Sequence, residues 1–260
     1  MSDNLVLTST NDGGVCHLTL NRPEAYNALS RPLMAALAQA LSKAEKDDAA
    51  KVIAISGAGK GFCAGHDLKE VRGINDVEEK RALFAQCSAL MLQIQALPKP
   101  VIAQIHGIAS AAGCQLVATC DLAIAAENSR FSTPGVNIGL FCSTPMVALS
   151  RAVSNKQSME MLLTGDMQPA ARAVEIGLIN KTVPEENLAD ETLAWAEKIA
   201  SKSSLVLKIG KEAFYQQKEM TTAQAYDHCS EVMTQNLLAK DAEEGISAFV
   251  EKRAPVWTGE

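Results

Sequence analysis

The sequence lacks both a long apolar run and an excess of positive charge. No apolar stretch reaches the roughly 18 residues that a membrane-spanning helix needs. The 24 Lys and Arg residues against 30 Asp and Glu residues give a formal net charge of −6, whereas nucleic-acid-binding proteins usually carry a basic patch. We therefore expect neither a membrane nor a nucleic acid as partner, and any anionic ligand must be held by local groups.

The sequence also lacks the spacings typical of disulfide frameworks and metal sites. Its seven cysteines are an odd number without a C-x-x-C pair, and its four histidines form no H-E-x-x-H motif. We therefore expect no disulfide framework and no metal.

The composition is that of a soluble globular protein. A chain of 260 residues that is 47% hydrophobic and 21% charged is long enough for one large domain, or for a domain with an appendage. The first residues, MSDNLVLTST, resemble neither a signal peptide nor an Arg-rich transit sequence. We expect a cytoplasmic location, or the mitochondrial matrix if a presequence has been removed.

The stretch that organises the chain is PKPVIAQIHGIASAAGCQLVATCD, at residues 98–121. A short apolar run at 101–106 predicts a strand, the small residues at 110–113 predict the tight start of a helix, and 121–125 predicts a second strand. The unpaired N–H groups at such a helix start bind negative charge. The pattern therefore predicts a β-α-β unit with its useful surface at the turn.

Helical and strand periodicities alternate before this stretch. Residues 15–20 and 51–56 are predicted strands, and a helix is predicted from Arg31 to about Lys46, with Ser30 as its N-cap. A further amphipathic helix covers 76–97. The glycine-rich segment GAGKGFCAGHDLKE (57–70) does not match a P-loop and is a weak dinucleotide signal.

After the organising stretch the prediction changes from alternating elements to helices alone. We expect a loop at 128–144, short helices, a strand at 178–183 and only helices beyond Pro184. Asp241 and Glu244 are spaced as a capping box for a last helix from Ala242 to about Lys252, which Pro255 stops. This pattern predicts an α/β core, residues 1–195, and a C-terminal helical region, residues 196–260.

The helical region should be an oligomerisation surface, because its apolar faces exceed what the core can cover. The apolar anchors are Leu205, Val206, Ile209, Phe214, Val232, Leu237, Ile246 and Phe249.

Two motifs at a fixed separation, GFCAGHDLKE (61–70) and HGIASAAGCQLVATCDLAIA (106–125), resemble the crotonase family of enoyl-CoA hydratases and isomerases. NRPEAYNALS (21–30), the run at 170–184 and FVEKRAPVW (249–257) extend the resemblance over essentially the whole chain. It implies a spiral of β-β-α turns, with a C-terminal helical region that forms trimers or dimers of trimers. It also implies an acyl-CoA thioester as substrate, with coenzyme A as part of the substrate and no separate cofactor.

The resemblance further implies an oxyanion hole in which two backbone N–H groups hold the thioester oxygen of an enolate. These donors fall on Ala64 and Ala112, where small neighbours let a thioester approach the backbone. Hydratases of the family use two glutamates, and those positions hold Gln115 and Gly135 here. Glutamine positions a water but exchanges no proton, and glycine does neither, so we expect poor hydration.

The sequence therefore allows reactions other than hydration, and other residues as the proton-transfer group. His66 is a candidate proton-transfer group or a structural histidine, and Asp67 is expected to brace its loop. Cys114 and Cys142 have no evident base. Decarboxylation or thioester hydrolysis, and a catalytically silent acyl-CoA binder, are the alternatives to a hydratase-like lyase or isomerase.

Coenzyme A binding is the last expectation from the resemblance. The residues implied for the adenine and pantetheine are Ala25, Tyr26, Ala64, His66, Asp67 and Leu68. The cations implied for the phosphates are Arg22, Lys252 and Arg253.

Overall fold

The computed structural model describes residues 4–260 and contains two β-sheets surrounded by helices. The strands within these residues are β1 (Val6–Thr10), β2 (Val15–Leu20), β3 (Val52–Gly57), β4 (Val101–Ile105), β5 (Ile108–Ser110), β6 (Leu122–Ala126), β7 (Arg130–Ser132), β8 (Gln168–Pro169) and β9 (Lys181–Val183). The large sheet has the order β1-β2-β3-β4-β6-β9, and the small sheet has the order β5-β7-β8.

The large sheet is parallel except at its first edge. β1 pairs antiparallel with β2, and every later neighbour is parallel. β3 reads Val-Ile-Ala-Ile over its first four residues, all buried, as expected for a parallel strand covered on both faces. β1 was not predicted from the sequence. Four of its five side chains are exposed, so no apolar pattern marks it.

Eleven α-helices lie within the described residues. They are α1 (Arg31–Lys46), α2 (Leu68–Gly73), α3 (Val77–Ala96), α4 (Ala112–Thr119), α5 (Ser143–Ala152), α6 (Asn155–Thr164), α7 (Ala170–Glu175), α8 (Leu188–Ala200), α9 (Ser204–Gln217), α10 (Thr222–Leu237) and α11 (Lys240–Glu251).

The order of elements confirms the predicted repeat of β-β-α turns. β4 and β5 precede α4, and β6 and β7 precede α5. In each turn the first strand joins the large sheet and the second joins the small sheet. The turn after β3 follows the same plan, because Cys63 forms a parallel bridge to Ala109 of β5. This stacking places the segments after β3, β4 and β6 side by side.

Local signals located α1 and α3 correctly, whereas α2 was not predicted. The Ser30 side chain accepts a hydrogen bond from the Leu33 N–H and caps α1, and the Asp76 side chain caps α3 through the Glu79 N–H. The predicted loop at 128–144 is wrong in part. It contains β7, a 3₁₀ helix at Pro134–Ile138 and the start of α5.

The predicted capping box at the last helix is also wrong. α11 begins at Lys240, so Asp241 lies inside the first turn, where it is buried and accepts hydrogen bonds from the Ser203 hydroxyl and from the backbone N–H groups of Thr258 and Gly259. The helix ends at Glu251, before Pro255, because Lys252 adopts a left-handed conformation with φ 58°.

The predicted boundary at 195/196 falls inside α8, one continuous helix. Leu188, Ala196 and Ala200 of this helix share a buried cluster with Val52 and Ile102 of the large sheet. α8 therefore belongs to the core along its whole length.

α9 is fastened to the core by a partly buried ion pair. Lys211 Nζ lies 2.7 Å from Asp121 Oδ2 and also donates to the carbonyl oxygens of Ile94 and Lys99. The Tyr215 hydroxyl donates to the other Asp121 oxygen at 2.8 Å. α9 thus packs on the core of the same chain.

Residues 4–260 contain neither a candidate membrane span nor a candidate metal cluster. No helix there has both the length and the apolar character to cross a membrane. In the same range no group of three His, Cys, Asp or Glu side chains is placed to hold a metal ion. All seven cysteines are free thiols.

Candidate active site

The start of α4 is held in a strained turn that leaves donors unpaired. Ala111 adopts φ 49° and ψ −115°, and its N–H donates to the Ser132 carbonyl at 2.9 Å. Ala112 follows as the first helical residue and is fully buried. Within residues 4–260 its N–H has no hydrogen-bond acceptor, as expected for a first-turn donor.

A second unpaired donor lies on the segment after β3. The Gly65 carbonyl accepts from the Leu29 N–H at 2.7 Å, and the Asp67 N–H donates to the Leu29 carbonyl at 3.3 Å. Both bonds hold the peptide between them in place. The His66 N–H has no acceptor in the part of the chain that the structure describes.

Close packing brings these two segments together. Gly65 has φ 101°, and a methyl group on it would lie 2.9 Å from Ala111 Cβ and 3.3 Å from the Ala112 nitrogen. A methyl group on Gly113 would overlap the Cys63 carbonyl. Only glycines allow this approach, which places the His66 and Ala112 backbones next to each other.

The structure differs from the prediction at Ala64. Its N–H donates to the Tyr26 carbonyl at 3.0 Å and is therefore not free to hold a ligand oxygen. Of the two predicted backbone donors, Ala112 is free and Ala64 is not. The free donor of the first motif is the N–H of His66, two residues further on.

The His66 side chain is a neutral, unpaired imidazole. Both ring nitrogens are buried and have no hydrogen-bond partner within residues 4–260. The ring lies edge-on to Phe84 of α3, with ring centres 5.5 Å apart. Burial lowers the pKa of the imidazole, because the charged form loses hydration.

Gln115 lies one turn after Ala112 on α4 and is buried. The Cys87 thiol lies 3.9 Å from its side-chain oxygen, within hydrogen-bonding range for sulfur. The amide nitrogen has no protein partner among the described residues. The position predicted for the first glutamate thus holds an uncharged amide that has a free donor.

Gly135, the position predicted for the second glutamate, is buried in the 3₁₀ helix that follows β7. A Cβ atom there would lie 2.8 Å from the Leu140 carbonyl oxygen and 3.0 Å from the Cys142 sulfur. The space toward which a side chain would point is therefore filled by Cys142 and by the backbone of its own loop.

The cysteines near α4 are poor nucleophiles. Burial raises the pKa of the Cys114 thiol to about 12 and also raises that of Cys142. Both are therefore protonated at neutral pH.

Residues predicted for coenzyme A are brought together by the loops at 22–28 and 61–68. Tyr26 and Leu68 are exposed on these loops, and Asp67 caps α2 through the N–H groups of Lys69 and Glu70. Arg22 is not a free cation, because it pairs with Asp67 at 2.9 Å and donates to the Ala28 carbonyl. The observed contacts give Asp67 the bracing position expected for it.

Asn27 was missed from the sequence. It is fully buried, its side-chain oxygen accepts from the Arg22 N–H, and its amide nitrogen donates to the carbonyls of Ala58 and Gly61. One amide therefore joins the two loops. Asn27 adopts a left-handed φ of 54°, a conformation that asparagine tolerates better than most residues.

The cations at the end of α11 lie apart from these loops. Arg253 forms a two-pronged ion pair with Glu244, at 2.6 and 2.7 Å, and also pairs with Glu251. Within residues 4–260, neither Lys252 nor Arg253 forms a hydrogen bond or ion pair with the loops at 22–28 and 61–68.

Comparison with known proteins gives consistent matches over almost the whole chain. The family model described as Enoyl-CoA hydratase/isomerase matches residues 10–260. The chain is 47% identical over 245 residues to enoyl-CoA hydratase domain-containing protein 3, mitochondrial, of Xenopus laevis, covering 94% of this chain and 83% of that protein. It is 46% identical over 248 residues to the Homo sapiens protein of the same name, covering 95% and 82%.

Solved structures of similar proteins agree with the family match. A crystal structure of enoyl-CoA hydratase from Mycobacterium smegmatis superposes with a TM-score of 0.95 at 47% identity, covering 98% of this chain and 99% of the other. The crystal structure of human enoyl coenzyme A hydratase domain-containing protein 3 gives a TM-score of 0.94 at 44% identity, covering 97% and 99%.

Proposed function

The chain belongs to the enoyl-CoA hydratase/isomerase family, and from this premise we propose that it binds acyl-CoA thioesters and stabilises the enolate formed next to the thioester carbonyl. Its fold is the crotonase fold predicted from the sequence. The observation that carries the proposal is the pair of free backbone donors at His66 and Ala112, on segments that Gly65 and Gly113 hold in contact.

These donors suit a thioester oxygen for three reasons. Both belong to backbone fixed by other hydrogen bonds, so they need no rearrangement when charge develops. Ala112 lies at a helix start, where the dipole favours negative charge. The donor assigned to the first motif is His66 in place of Ala64, since the Ala64 N–H is already engaged.

The side chains around the donors suit enolate chemistry better than the addition of water. Gln115 and Gly135 supply no carboxylate, and the buried His66 ring is neutral. We therefore propose a hydratase-like lyase or isomerase site in which Gln115 positions the substrate. We further place the protein where acyl-CoA is available, in a bacterial cytoplasm or the mitochondrial matrix.

Binding of acyl-CoA tests the proposal directly. At a hundredfold excess over the dissociation constant, a thioester is expected to stabilise the folded chain by about 2.7 kcal/mol, because only the folded state binds it. The measurement is thermal unfolding with a panel of saturated, unsaturated and carboxylated acyl-CoA thioesters, with mass analysis of each product. Loss of CO₂ or release of free coenzyme A would identify decarboxylation or hydrolysis, and stabilisation without turnover would identify a binder. A chain that no thioester stabilises contradicts the proposal.

We also propose that the chain assembles as a homotrimer or as a dimer of trimers. Large apolar side chains on α10, on α11 and in the turn between them are exposed in the single chain, including Met233 at 61%, Leu238 at 76% and Phe249 at 85%. Exposed apolar patches of this kind usually mark protein interfaces. Arg253 and Lys252 lie at the end of the same surface, where a neighbouring subunit would bring them near another site.

The expected result in analytical ultracentrifugation is a trimer or hexamer at micromolar concentration. Phe249→Glu is expected to shift the mass toward the monomer, since it places a charge in the apolar contact. Glu243→Gln, an exposed change on the same helix, serves as control and should leave the mass unchanged. A monomeric parent chain would rule out this assembly.

A further inference from the structure

The two short strands that meet beside the start of α4 are joined by a pair of buried hydroxyl groups. Ser110 Oγ of β5 lies 3.0 Å from Ser132 Oγ of β7, and one hydroxyl donates to the other. Ser110 is 6% exposed and Ser132 is fully buried, so the bond lies in an interior where hydrogen bonds are stronger than in water. We call these two residues the serine pair. Nothing in the proposed function requires it.

The serine pair lies at the last register position of a short ladder. β5 and β7 have three residues each and pair in parallel, with Ser110 opposite Ser132. The chain then leaves the ladder at once. The next N–H, that of Ala111, donates to the Ser132 carbonyl, and Ala112 begins α4. A change in the spacing between Ser110 and Ser132 therefore moves the turn that carries the free N–H of Ala112.

That turn has a conformation that alanine rarely adopts. Ala111 has φ 49° and ψ −115°, a combination that costs free energy for a residue with a side chain, so contacts around it must hold it there. Its ψ sets the orientation of the peptide that joins it to Ala112. Relaxation of Ala111 to a common conformation would therefore turn the Ala112 N–H away from its present direction.

Two hydrogen bonds oppose this relaxation. The Ala111 carbonyl accepts from the Gln115 N–H at 3.0 Å, which is the first bond of α4 itself. The Ala111 N–H donates to the Ser132 carbonyl at 2.9 Å. The second bond holds the turn only if the end of β7 has a fixed position.

Stability alone does not explain a buried pair of hydroxyls. Replacing both partners of a buried hydrogen bond by apolar groups of the same shape leaves stability nearly unchanged. A hydrogen bond differs from an apolar contact in that it fixes both a distance and a direction. What the two serines add at this point of the ladder is a defined position for the Ser132 carbonyl.

We propose that Ser110 and Ser132 are positioning residues for the Ala112 donor, an inference that rests on the proposed function. Their hydroxyl bond fixes the end of β7, the Ser132 carbonyl holds the strained Ala111, and Ala111 directs the Ala112 N–H at the thioester oxygen. Such donors stabilise developing charge because they are fixed in place before the reaction. Loosening this series of contacts lowers the rate and leaves the binding of coenzyme A unchanged.

The test separates the position of the donor from the stability of the fold. Ser132→Ala leaves the Ser110 hydroxyl buried without a partner and should lower the Tm, whereas Ser110→Ala combined with Ser132→Ala removes both partners and should recover most of that loss. In both variants kcat for the thioester that the parent turns over fastest is expected to fall about tenfold, less than the ~10²–10³ for loss of a whole donor. KM should stay within about threefold of the parent value, since the donor acts mainly in the transition state.

A spectroscopic measurement serves a chain that binds thioesters without turnover. Butanoyl-CoA labelled with carbon-13 at the thioester carbonyl is expected to show a downfield NMR shift on binding to the parent, because the two N–H donors polarise the carbonyl. Both serine variants should bind it with a dissociation constant close to that of the parent and should give a smaller shift.

Ser129→Ala is the matched control. Ser129 is also fully buried, and its hydroxyl donates to the Ile105 carbonyl of β4 at 3.2 Å, so the same chemical change leaves the contacts of Ala111 intact. It should match the parent in kcat and in carbonyl shift.

The double variant decides the outcome, also where Ser132→Ala alone does not fold. If it recovers the parent kcat and carbonyl shift together with the Tm, the serine pair acts only on stability, and the positioning proposal fails while the proposed function stands. If the parent itself binds no butanoyl-CoA, or binds it without a carbonyl shift, the Ala112 N–H does not hold a thioester oxygen, and the proposed function fails together with the positioning proposal.

Discussion

Gln115→Glu is expected to raise kcat/KM for crotonyl-CoA hydration by about 10²–10⁴, starting from a parent that is slow or inactive. Hydration needs a group that takes a proton from water and returns one to carbon. Gln115 is at the position predicted for a glutamate that would do this, one turn after the free N–H of Ala112. Its amide cannot exchange a proton near neutral pH.

A glutamate placed at position 135 is not expected to increase the rate of hydration further. A side chain at 135 would begin 2.8 Å from the Leu140 carbonyl oxygen and 3.0 Å from the Cys142 sulfur, so Gly135→Glu must displace its own loop. The double variant, Gln115→Glu with Gly135→Glu, should therefore be less stable than the parent. Its increase in hydration rate should be smaller than the product of two separate glutamate contributions. The single variant is the informative one.

The measurement is kcat/KM for crotonyl-CoA across pH 6–9 in parent and variant. A glutamate at this buried position has a raised pKa, because burial penalises its charged form, so the gain should increase as pH rises through that value. Gln39→Glu, exposed on α1, is the matched control and should show no gain. A parent already at ~10⁴–10⁸ M⁻¹s⁻¹ would show that other acid–base groups are present, with His66→Gln the first variant to test.

The parts of the fold that the sequence predicts well are those determined by local signals. α1 begins after Ser30 and ends at Lys46 as predicted. Its N-cap residue and its helical repeat of apolar residues both lie within one short segment of the sequence. Short strands are different. β5 and β7 have three residues each and exist only because the stacked turns bring them together, so neither has a periodicity of its own.

The difference between prediction and structure at Ala64 also depends on contacts between distant segments. The Ala64 N–H donates to the carbonyl of Tyr26, a residue 38 positions earlier. The His66 N–H stays without an acceptor, because the Gly65 carbonyl and the Asp67 N–H on either side of it both bond to Leu29. Which of two nearby amides stays unpaired depends on this pairing between distant segments. The motif located the region, and only the hydrogen bonds identify the donor.

The filled space at Gly135 could not be read from the sequence either. The loop folds back so that Leu140 and Cys142 lie against Gly135, and the Leu140 N–H donates to the Gly135 carbonyl at 2.9 Å. The sequence shows a glycine where a glutamate is usual. The structure adds that the neighbouring loop leaves no room for a larger residue.

Ala112→Pro is expected to lower kcat by about 10²–10³ for whichever thioester the parent turns over fastest, with a much smaller change in KM. Proline deletes one N–H without removing a helical hydrogen bond, because the first helical residue donates none to its own helix and proline is common there. The donor acts mainly on the charge that develops in the transition state, so its loss should appear in kcat.

The strain of this substitution must be separated from the loss of the donor. Ala111 has an unusual conformation and would precede the new proline, which restricts it further. Circular dichroism and thermal unfolding therefore accompany the kinetics. Asn155→Pro is the control, since Asn155 is the exposed first residue of α6 and follows an extended Ser154, and it should match the parent in rate. If Ala112→Pro folds and turns over thioesters like the parent, the Ala112 N–H does not hold the thioester oxygen, and the pairing of the two donors in one site is wrong.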